Sequence, residues 1–360
     1  MRDSLRVAAG VALAPYSTLG IGGDARYFVR ADRPEDVVAA DAWSRERDLP
    51  LLVLGGGSNM VVADEGWPGL VLQIAIAGVA YAARVGETIV RAGAGGNWDD
   101  LVVGLVARGL TGVECLSGIP GSVGGTPVQN VGAYGQEVAG AIEEVAAYDR
   151  RLRELVVLPA AACGFGYRTS RFKQEDAGRF IICEVTFRLR PGEPTTTYPD
   201  IRTQLGREGL SAPGPADVRR VVIEVRRRKG MVLDPADPDT RSVGSFFVNP
   251  VTTEEVRARI AALAGRDVPG FSLEGGRVKI PAAWLIEASG FDRGHAEGGA
   301  AMSSKHPLAL VNRGGATARD VLRLAAGIKR RVHDRFGISL RPEPVFVGCA
   351  PGPDLEYLQR

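Results

Sequence analysis

Leu116–Gly135 holds six glycines, two prolines and no charged side chain, so this stretch must be loop rather than a long helix or strand. Glycine lets backbone approach a neighbour closely and reach positive φ at no steric cost. An uncharged, amide-rich loop of this kind can offer N–H donors to an anion without a lysine. A second such loop lies upstream, where the apolar run Leu51–Leu54 breaks into Gly55-Gly56-Gly57-Ser58-Asn59 and resumes at Met60-Val61-Val62. Either loop alone reads equally well as a tight turn in a chain with 47 glycines. Together, each with serine and asparagine donors, they point to a site for a large ligand carrying phosphates.

A chain of 360 residues exceeds the size at which one core usually keeps growing, so two or three domains are expected. A net charge of +2 excludes a dedicated nucleic-acid binder. No apolar run is long enough to span a membrane. Cys115, Cys163, Cys183 and Cys349 are scattered, which suits a reducing compartment and no disulfide or zinc framework. His295, His306 and His333 share no ligand spacing, and no metal is expected. Arg2 followed by Val7–Ala14 faintly resembles an export leader, but Asp3 and the brevity of the segment speak against it. A cytoplasmic protein is expected.

Taken in order, Tyr16–Gly23 reads as a loop leading into a strand, Tyr27–Val29. Asp32 and Pro34 mark a helix start, with Val37, Val38, Ala40 and Trp43 at amphipathic spacing up to Arg47. Leu51–Leu54 completes a small β-α-β unit. Leu70–Ile74, Tyr81–Val85 and Ile89–Ala92 read as strands, and Asn97 caps a helix from Trp98 to Arg108 whose Asp99 and Asp100 suit the macrodipole. Ile142–Tyr148 and Leu152–Val157 form a hairpin pair, and Arg179–Leu189 alternates as a half-buried strand. Helices follow over Ala216–Arg228, Thr253–Ala264, Pro281–Ala288 and Thr317–Phe336, with Asp234–Asp239 as a linker and Pro344–Val347 as a closing strand. Strands and helices do not alternate as in a doubly wound sheet, so the class is α+β.

Three polar positions could carry chemistry. Ser245 lies in Val243-Gly-Ser-Phe-Phe-Val-Asn249-Pro, and is either a turn serine satisfied by backbone or a proton donor in a dry spot. It is not a hydrolase nucleophile, because G-x-S-x-G is absent and no histidine partner is suggested. Arg168, among glycines and aromatics, suits a carboxylate or enolate as well as a surface ion pair. Glu343 stands between two prolines, as an exposed turn carboxylate or a stiffly held acid. The run Arg226-Arg-Arg-Lys229 is a solvated helix end or a diphosphate clamp. Gly93-Ala-Gly95-Gly96-Asn97-Trp98 follows a strand and opens a helix, but Trp98 occupies the third-glycine place and no acidic residue follows where expected. An ordinary dinucleotide-binding fold is therefore not indicated.

In this order these motifs resemble the UDP-N-acetylenolpyruvoylglucosamine reductases (UDP-N-acetylmuramate dehydrogenases). The resemblance runs from Ser17-Thr-Leu-Gly-Ile-Gly-Gly23 to Pro342-Glu-Pro-Val345. It includes Leu54-Gly-Gly-Gly-Ser-Asn59, Ile119-Pro-Gly-Ser-Val-Gly-Gly125, Gln129-Asn-Val-Gly-Ala-Tyr134, Tyr167-Arg-Thr-Ser170 and Gly244–Pro250. It implies the FAD-binding fold of the vanillyl-alcohol-oxidase type, with two α+β flavin-binding subdomains and an α+β substrate-binding domain. The implied bounds are 1–76 with 338–360, then 77–230, then 231–337. It also implies bound, non-covalent FAD, with NADPH as hydride donor leaving before a UDP-sugar enolpyruvate substrate occupies the same cleft. The FAD cradle would be Gly55, Gly56, Gly57, Ser58, Asn59, Ile119, Pro120, Gly121, Gly124, Gly125, Asn130, Gly132 and Tyr134. Ser245 would be the general acid, with Arg168 and Glu343 catalytic. Tyr198, Arg226, Lys229 and Asn249 would contact substrate, while Val248 stands where a lysine is frequent. The implied enzyme is a cytoplasmic monomer of peptidoglycan precursor synthesis, with neither nucleic acid nor membrane as partner. An oxidase of the same flavin fold is the alternative, and predicts rapid reoxidation by air. A non-enzymatic nucleotide-binding module would purify colourless.

Overall fold

A computed structural model describes residues 5–360. Arg2 and Asp3, which bear on the leader reading, lie outside the described residues. The chain divides into two compact units. Among the described residues the first comprises 5–11, Ala25–Gly57 and Pro68–Val232, and the second Ala12–Asp24, Ser58–Trp67 and Leu233–Arg360.

The first unit carries two large sheets and a two-residue ladder pairing Gly132–Ala133 with Gln136–Glu137. One orders its strands Ala8–Ala12, Asp24–Ala31, Trp67–Ile74 and Leu51–Leu54, the last two pairing in parallel with Leu51 beside Leu70. Helix α1, Pro34–Glu46, supplies the crossover and buries Val37, Ala40, Asp41 and Ser44. Its cap position falls on Arg33 rather than Asp32, because the Asp36 carboxylate accepts the backbone N–H groups of Asp32 and Arg33 at 3.1 and 3.0 Å. Fully buried Asp41 takes Arg45 and Arg150, each at 2.7 Å, which lets a charge sit in the core.

The second sheet is antiparallel and runs 154–159, 142–149, 180–191, 87–93 and 79–84, with the two-residue strand Leu110–Thr111 on the far end of 180–191. Its central strand sets Val185 between Val145 and Ala92. The expected face of Ile181, Cys183, Val185, Phe187 and Leu189 is buried, and Ile182 and Thr186 of the opposite face are buried too. Helix α2, Trp98–Val106, packs Trp98 against Phe187 at 5.9 Å between ring centroids. Helices α3, Pro199–Arg207, and α4, Pro215–Arg228, form a small cluster of their own around Ile201, Val218, Val221 and Val222. The sequence reading passed over α3, which shows only Ile201 and Leu205 as buried residues.

The second unit is built on α7, Ala318–Phe336, with α5, Glu254–Ala264, α6, Ala282–Ala288, and α8, Pro353–Gln359. The apolar face of α7 (Val321, Leu324, Ala325, Ile328, Val332, Phe336) is wholly buried, and each such large side chain contributes about 1.5–3 kcal/mol. Thr317 caps this helix, the Asp64 carboxylate accepts from Ala318 N at 2.8 Å, and Gly337 ends it at φ 69°. A four-stranded sheet orders 242–245, 309–312, 300–302 and 296–297, and Val345–Val347 lies in parallel on Met60–Val62. Leu19 and Ile21, within the segment read as an entrance loop, join this core, and Thr18 Oγ1 donates to Ser242 O at 2.7 Å. Among the described residues no helix is long and apolar enough to cross a membrane.

Candidate active site

In the first unit the two glycine loops meet face to face. A Cβ on Gly56 would lie 2.6 Å from Gly121 Cα, and one on Gly55 would lie 2.7 Å from Ser122 Oγ. Only glycine allows that approach. The loop from Gly118 onward is seated on Gly93–Trp98: Val123 N donates to Gly96 O at 2.8 Å, Gly124 N to Ala94 O at 2.8 Å, and Trp98 N to Gly121 O at 3.1 Å. The glycines that mimic a dinucleotide motif are thus a packing seat. A Cβ on Gly95 would come within 2.4 Å of the Ala75 backbone.

The start of this loop is held by groups the sequence reading left unassigned. Asp99, read only as a dipole partner, accepts Gly118 N at 2.6 Å and takes Arg219 of α4 in a two-point pair at 2.6 and 2.9 Å. Burial works against its ionisation, yet Arg219 and the Gly118 N–H outweigh it and hold the carboxyl below its ordinary range. Trp98 Nε1 donates to Leu116 O at 3.0 Å. Buried Glu114 accepts from Gln136 Nε2 and Thr195 N, both at 2.7 Å, which ties the loop to the segment entering α3. The signal was present in the sequence only as a glutamate beside an apolar run, and nothing local names partners so far along the chain.

Four of the candidate residues cluster at the far end of the loop. Tyr134 and Tyr198 pack edge to face at 5.2 Å, and Lys229 Nζ stands 5.8 Å from the Tyr134 ring while paired with Asp200 at 2.7 Å. Arg226 is half-buried; it donates to Met231 O at 2.6 Å and Gly118 O at 3.3 Å, and its Nε is buried with no hydrogen-bond partner among the described residues. Burial pushes the phenols of Tyr134 and Tyr198 above their usual range.

Arg168 sits at the tip of a tight turn in which Gly166 and Thr169 exchange backbone hydrogen bonds at 3.1 and 3.2 Å. Its φ of 56° is unusual for a non-glycine residue, and Asn130 and Tyr134 share that condition at 46° and 49°. Its guanidinium reaches Gly132 O at 2.5 Å. The segment behind it is braced by Arg171–Asp176 at 2.5 Å and by Arg179, which joins Asp149 at 2.6 Å and Asp176 at 2.9 Å.

In the second unit, Ser245 and Glu343 come together. Ser245 ends the strand that pairs with 309–312, following Gly244 at φ 74°. Glu343 N donates to Phe246 O at 2.9 Å and Val248 N to Arg341 O at 3.0 Å, so the Pro-Glu-Pro segment is zipped along the strand end. Asn59 Nδ2 donates to Glu343 O at 3.3 Å, and Val345 N to Asn59 O at 3.0 Å. Phe246 and Phe247 are buried, while Ser245 and Glu343 remain half-exposed at the edge of that apolar wall. Asn249 Oδ1 accepts from Ala282 N at 2.8 Å, which caps α6 and fixes the direction of its amide. Burial raises the thiols of Cys163, Cys183 and Cys349 to about 11 and that of Cys115 to about 12, and all four are free. Among the described residues no three His, Cys, Asp or Glu side chains gather as a metal site requires.

The model of an FAD binding domain matches residues 25–148, and that of the UDP-N-acetylenolpyruvoylglucosamine reductase C-terminal domain matches residues 234–347. The chain is 47% identical to the UDP-N-acetylenolpyruvoylglucosamine reductase of Thermobifida fusca, over 95% of this chain and 98% of that one. It is 45% identical to the reductase of Mycobacterium tuberculosis, over 95% and 96% of the two chains. Among solved structures, the UDP-N-acetylenolpyruvylglucosamine reductase of Thermus caldophilus superposes with a TM-score of 0.64 at 28% identity, covering 95% of this chain and 99% of that one.

Proposed function

Because the chain belongs to the UDP-N-acetylenolpyruvoylglucosamine reductase family, we propose that it reduces the enolpyruvyl group of UDP-N-acetylglucosamine enolpyruvate to give UDP-N-acetylmuramate. FAD, when bound, supplies the hydride that it has taken from NADPH. The residues present fit that cofactor: two uncharged loops meet where a Cβ at Gly55 or Gly56 would intrude. Gly55, Gly56, Gly57, Ser58, Asn59, Ile119, Pro120, Gly121, Gly124, Gly125, Gly132 and Tyr134 would hold it, while Asn130, its buried amide turned inward onto Gly166, Glu137 and Ala139, would shape that loop rather than touch the cofactor.

The observation that carries the catalytic assignment is the hydrogen bond from Glu343 N to Phe246 O, which sets Glu343 beside Ser245 although they lie far apart in sequence. Hydride addition at the β-carbon of the enolpyruvyl group leaves negative charge on the α-carbon and carboxylate. Ser245 then gives its hydroxyl proton to the α-carbon. On this reading Glu343 and Arg168 are the groups that stabilise the developing enolate, and such stabilisation by preorganised donors is a large share of the barrier reduction. Tyr198, Arg226, Lys229 and Asn249 hold the sugar nucleotide, with Lys229 exchanging Asp200 for a phosphate oxygen. Residues 1–76 with 338–360, 77–230 and 231–337 serve as the two flavin-binding subdomains and the substrate domain. The parallel pairing of Val345–Val347 with Met60–Val62 supports the return of the C-terminal piece.

The relatives and the C-terminal domain match do not favour an oxidase. We further propose a cytoplasmic monomer without nucleic-acid or membrane partner; four free cysteines suit a reducing compartment, and a net charge of +2 argues against a nucleic-acid partner. Anaerobic titration tests the function: NADPH should bleach the flavin, and the enolpyruvyl sugar nucleotide should restore its colour. Restoration by air alone, with no response to the sugar nucleotide, would overturn the reading.

A further inference from the structure

We infer that Asn130 is a positioning residue for Arg168, its side chain acting on the arginine's turn rather than on the cofactor. This deepens the proposed function and rests on the reading of Arg168 as an enolate-facing group. The Asn130 side chain is buried, at 1% exposure, and all its polar capacity is turned inward. Nδ2 donates to Gly166 O at 3.0 Å and to Glu137 Oε2 at 2.8 Å, while Oδ1 accepts Ala139 N at 3.0 Å. Only one orientation of the amide satisfies all three, so it is not free to rotate toward a ligand.

Gly166 opens the two-residue turn that carries Arg168, and its carbonyl already accepts Thr169 N. Asn130 therefore grips the turn at its base. The same residue touches its tip, because Arg168 Nη1 approaches Asn130 O at 3.5 Å beside the stronger contact of Nη2 with Gly132 O. Ser170 Oγ on Val128 O at 2.5 Å and Lys173 Nζ on Gln129 Oε1 at 3.4 Å complete the seam between the two segments. Both Asn130 and Arg168 sit at positive φ, so each backbone is held in a sparsely populated conformation by its neighbours. Asparagine is among the few non-glycine side chains that tolerate that region, and it alone of them also brings two N–H donors. Releasing the amide frees the Gly166–Thr169 turn to relax and displaces the guanidinium.

The experiment uses the FAD-loaded full chain in anaerobic stopped flow, with Asn130→Gly, Asn130→Asp, Arg168→Ala and the corresponding double variants. Asn130→Gly keeps the backbone conformation and removes the side chain; Asn130→Asp keeps shape and acceptor and removes the donor. Both should keep flavin affinity and the rate of reduction by NADPH. Reoxidation by saturating enolpyruvyl substrate should slow by about 10- to 100-fold, as expected for a displaced catalytic group. The double variants should be no slower than Arg168→Ala alone. Parent-like reoxidation in both Asn130 variants beside a crippled Arg168→Ala overturns the inference. So does a loss confined to flavin affinity, or full additivity with Arg168→Ala. A parent-like Arg168→Ala instead removes the role of Arg168 itself, and the inference falls with it.

Discussion

Gly56→Ala is the sharpest perturbation of the cradle. Gly56 does not adopt a positive φ, so the substitution introduces no backbone strain of its own. The new methyl would stand 2.6 Å from Gly121 Cα, 2.7 Å from Gly121 C and 2.8 Å from Ser122 N, all of them backbone atoms that cannot rotate aside. Ordinary carbon contacts need ~3.5–4.0 Å, so the loops must part by about 1 Å. Such overpacking costs about 1–3 kcal/mol. If bound flavin requires both loops at their present spacing, the strain falls on binding and weakens FAD affinity by about 5- to 150-fold. Flavin fluorescence titration of the apoprotein measures this, with thermal unfolding of the apoprotein as a check on the fold. Gly140→Ala, on an exposed glycine with nothing within 4 Å, serves as the control and should bind FAD as the parent does. Parent-like FAD affinity in Gly56→Ala would refute the claim that the close approach of these loops makes the cradle.

Asp99→Asn should weaken the grip on Gly118 and Arg219, costing about 1–2 kcal/mol in urea unfolding and lowering FAD affinity. Asp149, fully buried under Arg179, has its pKa depressed to about 2, chiefly by that hydrogen bond. A depressed carboxyl stabilises the fold above the unfolded pKa of about 3.9 and loses that contribution as pH falls through the folded value. The melting temperature should therefore drop between about pH 4 and pH 2, and Asp149→Asn should flatten that limb. Lys329, buried in α7, donates to Leu358 O at 3.0 Å, and burial lowers its pKa. Lys329→Met leaves that carbonyl unpaired and should speed proteolytic removal of α8 without altering the flavin spectrum.

Where the hydrophobic period is strong, the sequence reading and the structure agree. Leu51–Leu54 matches residue for residue, and α7 ends at Gly337 as its pattern implies. Short elements escaped: α8 has seven residues, and Ala8–Ala12 is an edge strand whose small, exposed side chains show no alternation. The parallel pairing of Val345–Val347 with Met60–Val62 links distant segments through backbone alone, which no local pattern encodes. The proposed site was legible by residue type and order, since glycine clusters, Ser245, Arg168 and Glu343 each stand out from their surroundings. Its supports were not. Asp99 sits in a first helical turn, where a dipole role explains it fully, and only the fold reveals Gly118 N as its partner. Arg168 occupies a turn position that favours glycine or asparagine, so the composition of Tyr167-Arg168-Thr169 hid the turn that presents it.

The account depends most on proton delivery from Ser245 once hydride has reached the enolpyruvyl group. Single-turnover reoxidation of NADPH-reduced Ser245→Ala by the enolpyruvyl sugar nucleotide measures that step alone. The account predicts normal flavin content, normal reduction by NADPH and reoxidation slower by about 10²- to 10⁴-fold. Reoxidation at the parent rate would contradict it.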